Sequence, residues 1–306
     1  MVKHCTKCSK PAITFIRYNG THLCEKHFVE YFEKRIKKNI KKQGKTRKNT
    51  KIAVAVSGGK DSNVALYIIN KIFSKFRNVK IIAITIDEGI KPYRDKSIQA
   101  AKKNCKKLGI EHHITSFKDV FNITIDEISE KKHEIGLCSY CGVFRRYCMN
   151  TTAKELDVDK IVTGHNLDDM SQSILMNFVN SDMEKLARLA PHLKVQPGLI
   201  PRMVPLSVIP EKENAIYALV KNIDFHDAQC PNSTEAFRGF FQDTILDLEQ
   251  HTPGTRHSIL SSYEKIKDLL LKKYPPVDLN ECEECGEPTS QKICKTCILK
   301  KKIGIK

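Results

Sequence analysis

Residues 53–72 read AVAVSGGKDSNVALYIINKI and join a strand-like apolar segment to a helix-like one through SGGKDS, residues 57–62. In the second half, apolar residues recur at helical spacing, at positions 65, 68, 69 and 72. Small residues at a strand-to-helix turn let backbone N–H groups approach an oxyanion, and the following helix contributes the positive end of its dipole. The stretch therefore predicts a cradle for phosphate or pyrophosphate.

The side chains of this loop favour the same ligand. Ser57, Lys60 and Ser62 supply two hydroxyl groups and a cation, and Asp61 is suited to holding a magnesium ion through water. The loop satisfies neither the Walker A pattern nor the dinucleotide-binding pattern GxGxxG. A tight turn without a ligand is the plain alternative, but the concentration of polar residues around the two glycines favours phosphate.

Strand-like and helix-like segments alternate on both sides of the loop. Strands are predicted near residues 51–56, 80–86, 113–117 and 160–163, with amphipathic helices between them. This alternation predicts an α/β fold whose parallel sheet is covered by helices on both faces. Ligands of such sheets bind at the carboxyl ends of the strands, where the loop, Asp87 and the motif GHNLDD at 164–169 all fall.

The later part of the chain departs from this pattern. The helix after GHNLDD is predicted to place Met170, Ile174 and Phe178 on one face. Five prolines then separate short segments between residues 181 and 215. We interpret this stretch as partly extended, with residues 202–208 completing the sheet before helices resume near Ala215 and Thr234.

The charge balance points to a polyanionic partner. The 306 residues include 52 Lys and Arg against 35 Asp and Glu, a formal net charge of +17. Nucleic acid is such a partner, although the basic run at 34–48 also fits a solvated helix and linker. No apolar stretch approaches the length of a membrane span and no signal-peptide pattern opens the chain. We expect a cytoplasmic protein whose twelve cysteines are thiols or metal ligands.

Two cysteine sets have the spacing of structural zinc sites. The first comprises Cys5, Cys8, Cys24 and His27, and the second comprises Cys282, Cys285, Cys294 and Cys297. Each CxxC or CxxH pair can direct two ligands at one tetrahedral centre. We therefore predict two closed zinc modules, flanked by lysine-rich segments suited to phosphate contacts.

A third cysteine system is different. Cys138 and Cys141 form a lone CxxC in mid-chain, and Cys230 stands alone in HDAQCP. Three thiolates that converge on one centre would leave a coordination position open, as a catalytic metal centre requires. On spacing alone, the CxxC fits a redox pair, half of a zinc site or an iron–sulfur ligand set equally well.

These motifs together resemble a known family. SGGKDS resembles the PP-loop of the ATP pyrophosphatases, which cleave ATP between its α and β phosphates and adenylate a substrate oxygen. With GHNLDD, CSYCGVFRRY (138–147) and IPRMVPL…IPEKE (200–213), essentially the whole chain resembles tRNA 2-thiolation proteins of the TtuA and NcsA type. The resemblance implies an adenine nucleotide alpha hydrolase-like, Rossmann-like PP-loop domain with zinc modules at both ends.

We divide the chain on this basis into five parts. They are an N-terminal zinc module (1–32), a basic helix or linker (33–50), the PP-loop catalytic domain (51–225), a helical extension carrying Cys230 (226–278) and a C-terminal zinc module (279–306).

The resemblance also implies residue roles. Cys138, Cys141 and Cys230 would bind a 4Fe-4S cluster with one iron lacking a protein ligand. ATP with magnesium would be held by Ser57, Gly58, Gly59, Lys60, Asp61, Ser62, Asp87, Gly164 and His165. The expected catalytic residues are Lys60, Asp169, which matches the family's catalytic Asp, and Arg145, which stands where TtuA-type members have a catalytic Lys. Because a helix begins at this point, we also expect one of Asp168 and Asp169 to cap it and the other to act in catalysis, with Asp169 preferred for catalysis.

The implied reaction is ATP-dependent 2-thiolation of a tRNA uridine. AMP would be transferred to the C2 oxygen with pyrophosphate leaving, and sulfur held at the open iron would then replace that oxygen. The sulfur would come from free sulfide or from a ubiquitin-like carrier's thiocarboxylate. A guanidinium holds its proton too tightly for proton transfer, so Asp169 is the acid–base candidate and Arg145 a charge stabiliser.

Further expectations rest on the same resemblance. The Phe-Arg-Arg sequence after the CxxC is more like the wobble (U34) thiolases than the T-loop (U54) enzymes, which tend to carry Lys. A homodimer is expected, with tRNA lying across a basic face. The alternatives are U54 thiolation, an amide-forming or sulfate-handling PP-loop enzyme, and a non-catalytic zinc-based RNA-binding protein with an ATP-sensing domain.

Overall fold

The computed structural model describes residues 3–44, 49–131, 133–192, 195–232 and 238–305. Its strands are β1 Thr14–Ile16, β2 Thr21–Leu23, β3 Thr50–Ala55, β4 Val79–Asp87, β5 Glu111–Ser116, β6 Lys160–Val162, β7 Arg202–Met203, β8 Asn280–Glu281 and β9 Pro288–Thr289. Its helices are α1 Glu25–Lys42, α2 Lys60–Phe73, α3 Tyr93–Leu108, α4 Phe117–Phe121, α5 Ile125–Ser129, α6 Leu137–Glu155, α7 Leu167–Val179, α8 Met183–Ala187, α9 Glu211–Val220, α10 Arg238–His251, α11 Thr255–Lys273 and α12 Lys295–Lys302.

A five-stranded parallel sheet with the order β5-β4-β3-β6-β7 forms the centre of the fold. Strand β3 is buried on both faces, because Ile52 and Val54 pack into one apolar cluster and Ala53 into the other. Side chains of successive strand residues point to opposite faces. A central strand covered on both sides must therefore be apolar throughout, as the sequence predicted.

Two small antiparallel hairpins flank the sheet in sequence. The β1–β2 hairpin lies between the two halves of the first cysteine set and precedes α1, whose first turn contains His27. The β8–β9 hairpin encloses Cys282 and Cys285 of the second set and precedes α12, which begins directly after Cys294. The expected α/β fold with a small module near each end is confirmed.

Helix α1 is part of the core and not a linker. It begins directly after Cys24, and its Phe28, Phe32, Ile36 and Ile40 recur at i, i+4 spacing and are buried in the cluster that also holds Ile52. The division drawn after residue 32 therefore runs through the middle of a continuous helix. The lysines of the basic run cover the opposite face, although residues 45–48 of that run lie outside the described part of the chain.

The strand predicted across residues 202–208 is shorter than expected. Only Arg202 and Met203 pair with β6. Beyond them the backbone is hydrogen-bonded to α1, because Val204 donates to the Gln43 side chain and its carbonyl accepts from Asn39 and Gln43. Side-chain amides thus replace the strand partner.

The helix expectations are confirmed with two exceptions. Met170 and Ile174 of α7 are buried, but Phe178 near its end is 60% exposed, so it does not share their packed face. The helix expected near Thr234 falls on residues outside the described part of the chain, and α10 is described from Arg238 onward. None of the described helices is both long and apolar enough to cross a bilayer.

A polar network fixes α9 against α1. Arg35 of α1 donates to the carboxylate of Glu213 on α9 and to the Tyr18 hydroxyl, each at 2.7 Å. Its guanidinium also contacts Nε2 of His257 on α11 at 3.0 Å. Burial, followed by the charge of Arg35, lowers the pKa of His257 to about 4. The ring is therefore neutral at physiological pH and accepts from Arg35.

This network makes stability depend on pH in a definite direction. His257 titrates near 6.5 when unfolded and at about 4 when folded. Its stabilising contribution is complete above the unfolded pKa and declines as pH falls from 6.5 toward 4. We predict that His257→Gln flattens the loss of unfolding free energy over this range, measured by denaturant titration at a series of pH values. The exposed His251→Gln is the control, and parallel profiles for wild type and His257→Gln would contradict the prediction.

Candidate active site

The SGGKDS loop is closed on itself by short hydrogen bonds. The Ser62 hydroxyl accepts from the Ser57 N–H at 3.1 Å and donates to the Gly59 carbonyl at 2.9 Å. Gly58 has φ +91°, and a Cβ there would lie 1.9 Å from the carbonyl oxygen of Ser97. Glycine is therefore required, and the free N–H groups at the start of the 14-residue helix α2 form the cradle predicted for an anion.

Lys60 and Asp61 are held by the first turn of α9. The Lys60 ammonium forms ion pairs with Glu211 and, at 3.4 Å, with Asp61, while Asp61 accepts a 2.8 Å hydrogen bond from the Asn214 side chain. Burial, reinforced by Asp169, raises the pKa of Asp61 to about 6 despite the opposing charge of Lys60. Neither Glu211 nor Asn214 was predicted from the sequence as a site residue. Their signal was the position of Glu211 directly after Pro210, at the start of a helix.

The GHNLDD motif packs directly on this loop. A Cβ at Gly164 would lie 2.8 Å from the backbone nitrogen of Ser62, so only glycine allows this approach. The turn then enters α7 through a reciprocal cap: the Asn166 side chain accepts from the Asp169 N–H, and the Asp169 carboxylate accepts from the Asn166 N–H, both at 3.0 Å.

One of the two aspartates was expected to cap this helix and the other to act in catalysis, and the residue that takes part in the cap is Asp169, the preferred catalytic candidate. Asn166 and Asp169 form the cap, and Asp168 is buried in an ion pair with Arg256 at 2.9 Å. Asp168 also accepts from the Glu211 N–H at 2.8 Å, which fixes the start of α9. Neighbouring residues of one type thus have separate structural roles that their order in the sequence does not reveal.

Asp169 keeps one carboxylate oxygen directed at the rim. That oxygen lies 3.1 Å from Arg238, and the charge of Asp169 contributes to the raised pKa of Asp61. His165 is next to it, with Nδ1 2.9 Å from the Thr163 hydroxyl. Desolvation by the surrounding protein lowers the pKa of His165, and the negative charge of Asp169 partly opposes this shift. The SGGKDS loop (residues 57–62, the nucleotide loop, after its predicted ligand), His165 and Asp169 therefore lie on one rim, as predicted.

A buried carboxylate follows β4 at the same edge. Asp87 accepts from the Gly89 N–H at 2.9 Å, and the next residue, Glu88, is buried with its carboxylate 2.6 Å from Arg94 and 3.4 Å from Arg145. Arg94 in turn donates to the Ser57 carbonyl at 2.8 Å. Glu88 therefore connects the nucleotide loop to Arg145. Glu88 was not predicted from the sequence as a site residue. The feature that could have identified it is its position directly after a buried strand.

The three central thiols converge beside Arg145. Cys138 and Cys141 lie in the first turn and a half of α6, and the Cys138 thiol donates to the Asn232 carbonyl at 3.3 Å. Burial raises the pKa of Cys141 to about 12, Arg145 opposes the shift, and Cys230 and Cys138 add to it. The chain that carries Cys230 is anchored to the nucleotide loop, because the His226 N–H donates to the Gly58 carbonyl at 3.0 Å.

The terminal sets and the central thiols differ in spacing. Among the described residues, two sets of four side chains each have all their ligand atoms within 4.8 Å of one another. One set is Cys5, Cys8, Cys24 and His27, and the other is Cys282, Cys285, Cys294 and Cys297. Such spacing suits one tetrahedral ion, and soft thiolates with a histidine favour zinc. The central thiols interact but do not form a set of that spacing. An all-sulfur donor set more widely spaced than a single ion requires fits an iron–sulfur cluster.

Two known protein families together match most of the chain. Residues 29–248 match the PP-loop domain family, and residues 4–29 match the N-terminal LIM domain of 2-thiouridine synthetase TtuA.

Individual relatives match over nearly their full length. The tRNA 2-thiolation protein NcsA of Haloferax volcanii is 39% identical over 315 residues, covering 96% of this chain and 97% of that protein. The tRNA-5-methyluridine(54) 2-sulfurtransferase of Pyrococcus horikoshii is 35% identical, covering 99% and 96%.

A solved structure shows the same fold. The U34-tRNA thiolase NcsA from Methanococcus maripaludis, described with its [4Fe-4S] cluster, superimposes with a TM-score of 0.84. It is 34% identical, and the match covers 100% of this chain and 98% of that one.

The packing of Gly164 on the nucleotide loop yields a prediction. In Gly164→Ala the added methyl group must displace the backbone of Ser62 or of its own loop. Overpacking of this kind costs about 1–3 kcal/mol, so we expect ATP affinity to fall roughly tenfold in equilibrium binding. Gly239→Ala, whose methyl group would meet nothing within 4 Å, is the control. Equal ATP affinity in the two variants would contradict this account of the loop.

Proposed function

The chain belongs to the PP-loop family of tRNA 2-thiolation proteins, and we propose that it converts a tRNA uridine to 2-thiouridine at the expense of ATP. One observation supports the proposal above the others. The nucleotide loop and the three central thiols are held together, through the His226 to Gly58 hydrogen bond and through the chain Ser57–Arg94–Glu88–Arg145. An enzyme that activates an oxygen with ATP and then replaces it with sulfur needs both functions in one cavity.

Activation begins at the nucleotide loop. The N–H groups at the start of α2 and the Lys60 ammonium would hold the β and γ phosphates, which take the place of Glu211 as the partner of Lys60. Asp61, with its carboxyl group ionised, would hold magnesium. The uridine O2 attacks the α phosphorus, the bond between the α and β phosphates breaks, and pyrophosphate leaves with the electron pair. Lys60 and the loop N–H groups neutralise the charge that develops.

Asp169 and Arg145 take different parts in this reaction. The O2 atom becomes a better nucleophile when N3 loses its proton, and the Asp169 carboxylate, oriented by the Asn166 N–H, would accept that proton. Arg145 stays protonated and is positioned by Glu88 at 3.4 Å. It would stabilise the negative charge of the nearby thiolates and the charge that develops on the uracil ring as sulfur adds to C2, after which the C2–O2 bond breaks and AMP leaves with that oxygen.

Cys138, Cys141 and Cys230 would hold a 4Fe-4S cluster. When bound, such a cluster supplies an iron without a protein ligand, at which sulfide can be kept available as the nucleophile for C2. The thiols must be deprotonated to act as ligands, and Arg145 favours the ionised form of Cys141. The sulfur donor is sulfide or the thiocarboxylate of a ubiquitin-like carrier protein.

The tRNA would lie against basic surfaces near both ends of the chain. The exposed face of α1 carries Lys34, Lys37, Lys38 and Lys41, and α12 ends with Lys300, Lys301 and Lys302. Lysines of this kind grip phosphates without reading sequence. The terminal sets would bind zinc and brace these two surfaces.

We place the protein in the cytoplasm as a homodimer, with exposed apolar side chains such as Phe178 and Phe240 available for the contact between subunits.

We propose U34 as the modified position. Arg145 replaces the lysine typical of the U54 enzymes, and the U34-tRNA thiolase matches this chain over its whole length. The U54 enzyme of Pyrococcus horikoshii is equally similar in identity, so the proposal depends on the Arg145 side chain and not on overall similarity.

The proposed function predicts a specific product. Anaerobically reconstituted protein incubated with unmodified tRNA, magnesium, ATP and sulfide should yield 2-thiouridine, located at position 34 by mass spectrometry of nuclease fragments. Omission of ATP should abolish the product. Modification at position 54 would overturn the choice of uridine alone, and no ATP-dependent 2-thiouridine would overturn the function.

A matched pair of variants tests the role of the central thiols in the same assay. Cys230→Ala should lose the broad absorption near about 400 nm typical of iron–sulfur charge transfer and lose thiolation with it. Cys105→Ala removes a thiol that is buried in the core away from the rim, and should retain both. If a colourless Cys230→Ala protein thiolates tRNA at the wild-type rate, the assignment of the three thiols to a cluster is contradicted.

A further inference from the structure

Two arginines beside the candidate active site have no ion-pair or hydrogen-bond partner for their side chains within the described part of the chain: Arg146 of α6 and Arg202 of β7. The neighbouring arginines are paired, since Arg145 contacts Glu88 and Arg238 contacts Asp169. Arginines that line a catalytic rim without a counter-ion require a partner of another kind or full solvation.

The fold brings these two side chains to one side of the sheet. Arg202 is in register with Ile161 of β6, so its side chain lies on the sheet face where Ile161 packs with α6. Arg146 lies on α6 itself. Its guanidinium folds back along that helix to within 3.4 Å of where a Cβ on Gly142 would be, next to Cys141. Arg146 is close enough to Cys141, and Arg202 close enough to His165, for these charges to interact, and the two arginines also interact with each other.

The electrostatics of this space are strongly positive. Partial desolvation and then the charge of Arg145 lower the pKa of Arg146, although its side chain is exposed, and partial desolvation and then the charge of Arg146 lower the pKa of Arg202. The charges of Arg238, Arg202 and Arg145 also help to keep His165 neutral. The carboxylates in contact with this group, Glu88 and Asp169, are already paired. Within the described part of the chain, no carboxylate pairs with Arg146, which is exposed, or with Arg202, which is half-buried, and two unpaired guanidinium groups on one rim favour binding of an anion.

We propose that Arg146 and Arg202 bind a backbone phosphate of the RNA substrate, adjacent to the uridine whose base enters the site. The inference rests on the proposed function and extends it to a named contact with the substrate. Guanidinium groups suit phosphate because they donate two parallel hydrogen bonds. Phosphate contacts fix the register and orientation of a nucleic acid on a protein, and a base that is splayed out of its stack into a pocket depends on such positioning.

The RNA backbone fits this position better than the phosphates of ATP. Strand β7 is two strands away from β3, which leads into the nucleotide loop. Adjacent strands are about 4.8 Å apart, so the backbone of Arg202 lies roughly 10 Å across the sheet from the strand that leads into the cradle. The loop N–H groups and Lys60 already provide for the phosphates of ATP. A second anion along the cleft is expected where the polynucleotide passes.

The test measures binding and needs no turnover. Affinity for an unmodified tRNA transcript with uridine at position 34 would be measured by fluorescence anisotropy at several salt concentrations. Arg146→Gln and Arg202→Gln should each weaken binding and lower the slope of log affinity against log salt by about one. Arg77→Gln is the matched control, because Arg77 is exposed before β4, at the opposite edge of the sheet. Arg202→Lys should restore much of the slope by keeping the charge.

The outcomes separate this inference from the proposed function. Unchanged tRNA binding in both glutamine variants would overturn the arginine site alone, provided that wild type binds. A loss of ATP affinity by these variants, with tRNA binding intact, would assign the anion to the nucleotide and overturn the RNA contact. Wild-type protein that does not bind tRNA at any salt concentration would overturn the inference together with the proposed function.

Discussion

The buried carboxylate of Glu88 is the contact on which the arrangement of the site depends. It lies at the end of β4, pairs with Arg94 at 2.6 Å and also reaches Arg145. Arg94 carries the connection to the Ser57 carbonyl of the nucleotide loop, and Arg145 carries it to the cysteines. A buried carboxylate is tolerated only with such partners, and removing one partner of a buried ion pair is strongly destabilising. The geometry that places the nucleotide loop beside the three central thiols is thus maintained by a buried carboxylate with fixed partners.

A second set of contacts supports the loop from the other side. Helix α9 presents Glu211 and Asn214 to Lys60 and Asp61. The same helix is fixed by Asp168 at its first N–H and by the pair of Glu213 with Arg35 on α1. Because α1 begins at the first cysteine set, the N-terminal module is connected to the nucleotide site through packed helices and not through a flexible linker. Folding of that module and the shape of the site are therefore physically coupled.

Local patterns predicted much of this, and long-range charge pairing explains what they did not predict. Continuous apolar strands, the loop at 57–62 and both terminal cysteine sets could be identified from spacing alone, because each depends on residues close in sequence. Glu211 lies 151 residues from Lys60, and nothing local shows that they meet. Because α1 is rich in lysine, its apolar stripe of Phe28, Phe32 and Ile36 was not recognised in the sequence. The separate roles of Asp168 and Asp169 follow from the helix start at Asn166, which only the backbone conformation reveals.

The central claim is that the nucleotide loop and the three central thiols form one site. Electron paramagnetic resonance of the anaerobically reconstituted and reduced protein tests it directly, with spectra recorded before and after addition of magnesium and a non-hydrolysable ATP analogue. If Gly58 and the Cys230 segment are joined as the structure shows, nucleotide binding should shift the g values or line shape of the cluster signal. A saturating analogue that leaves the spectrum unchanged would contradict the claim.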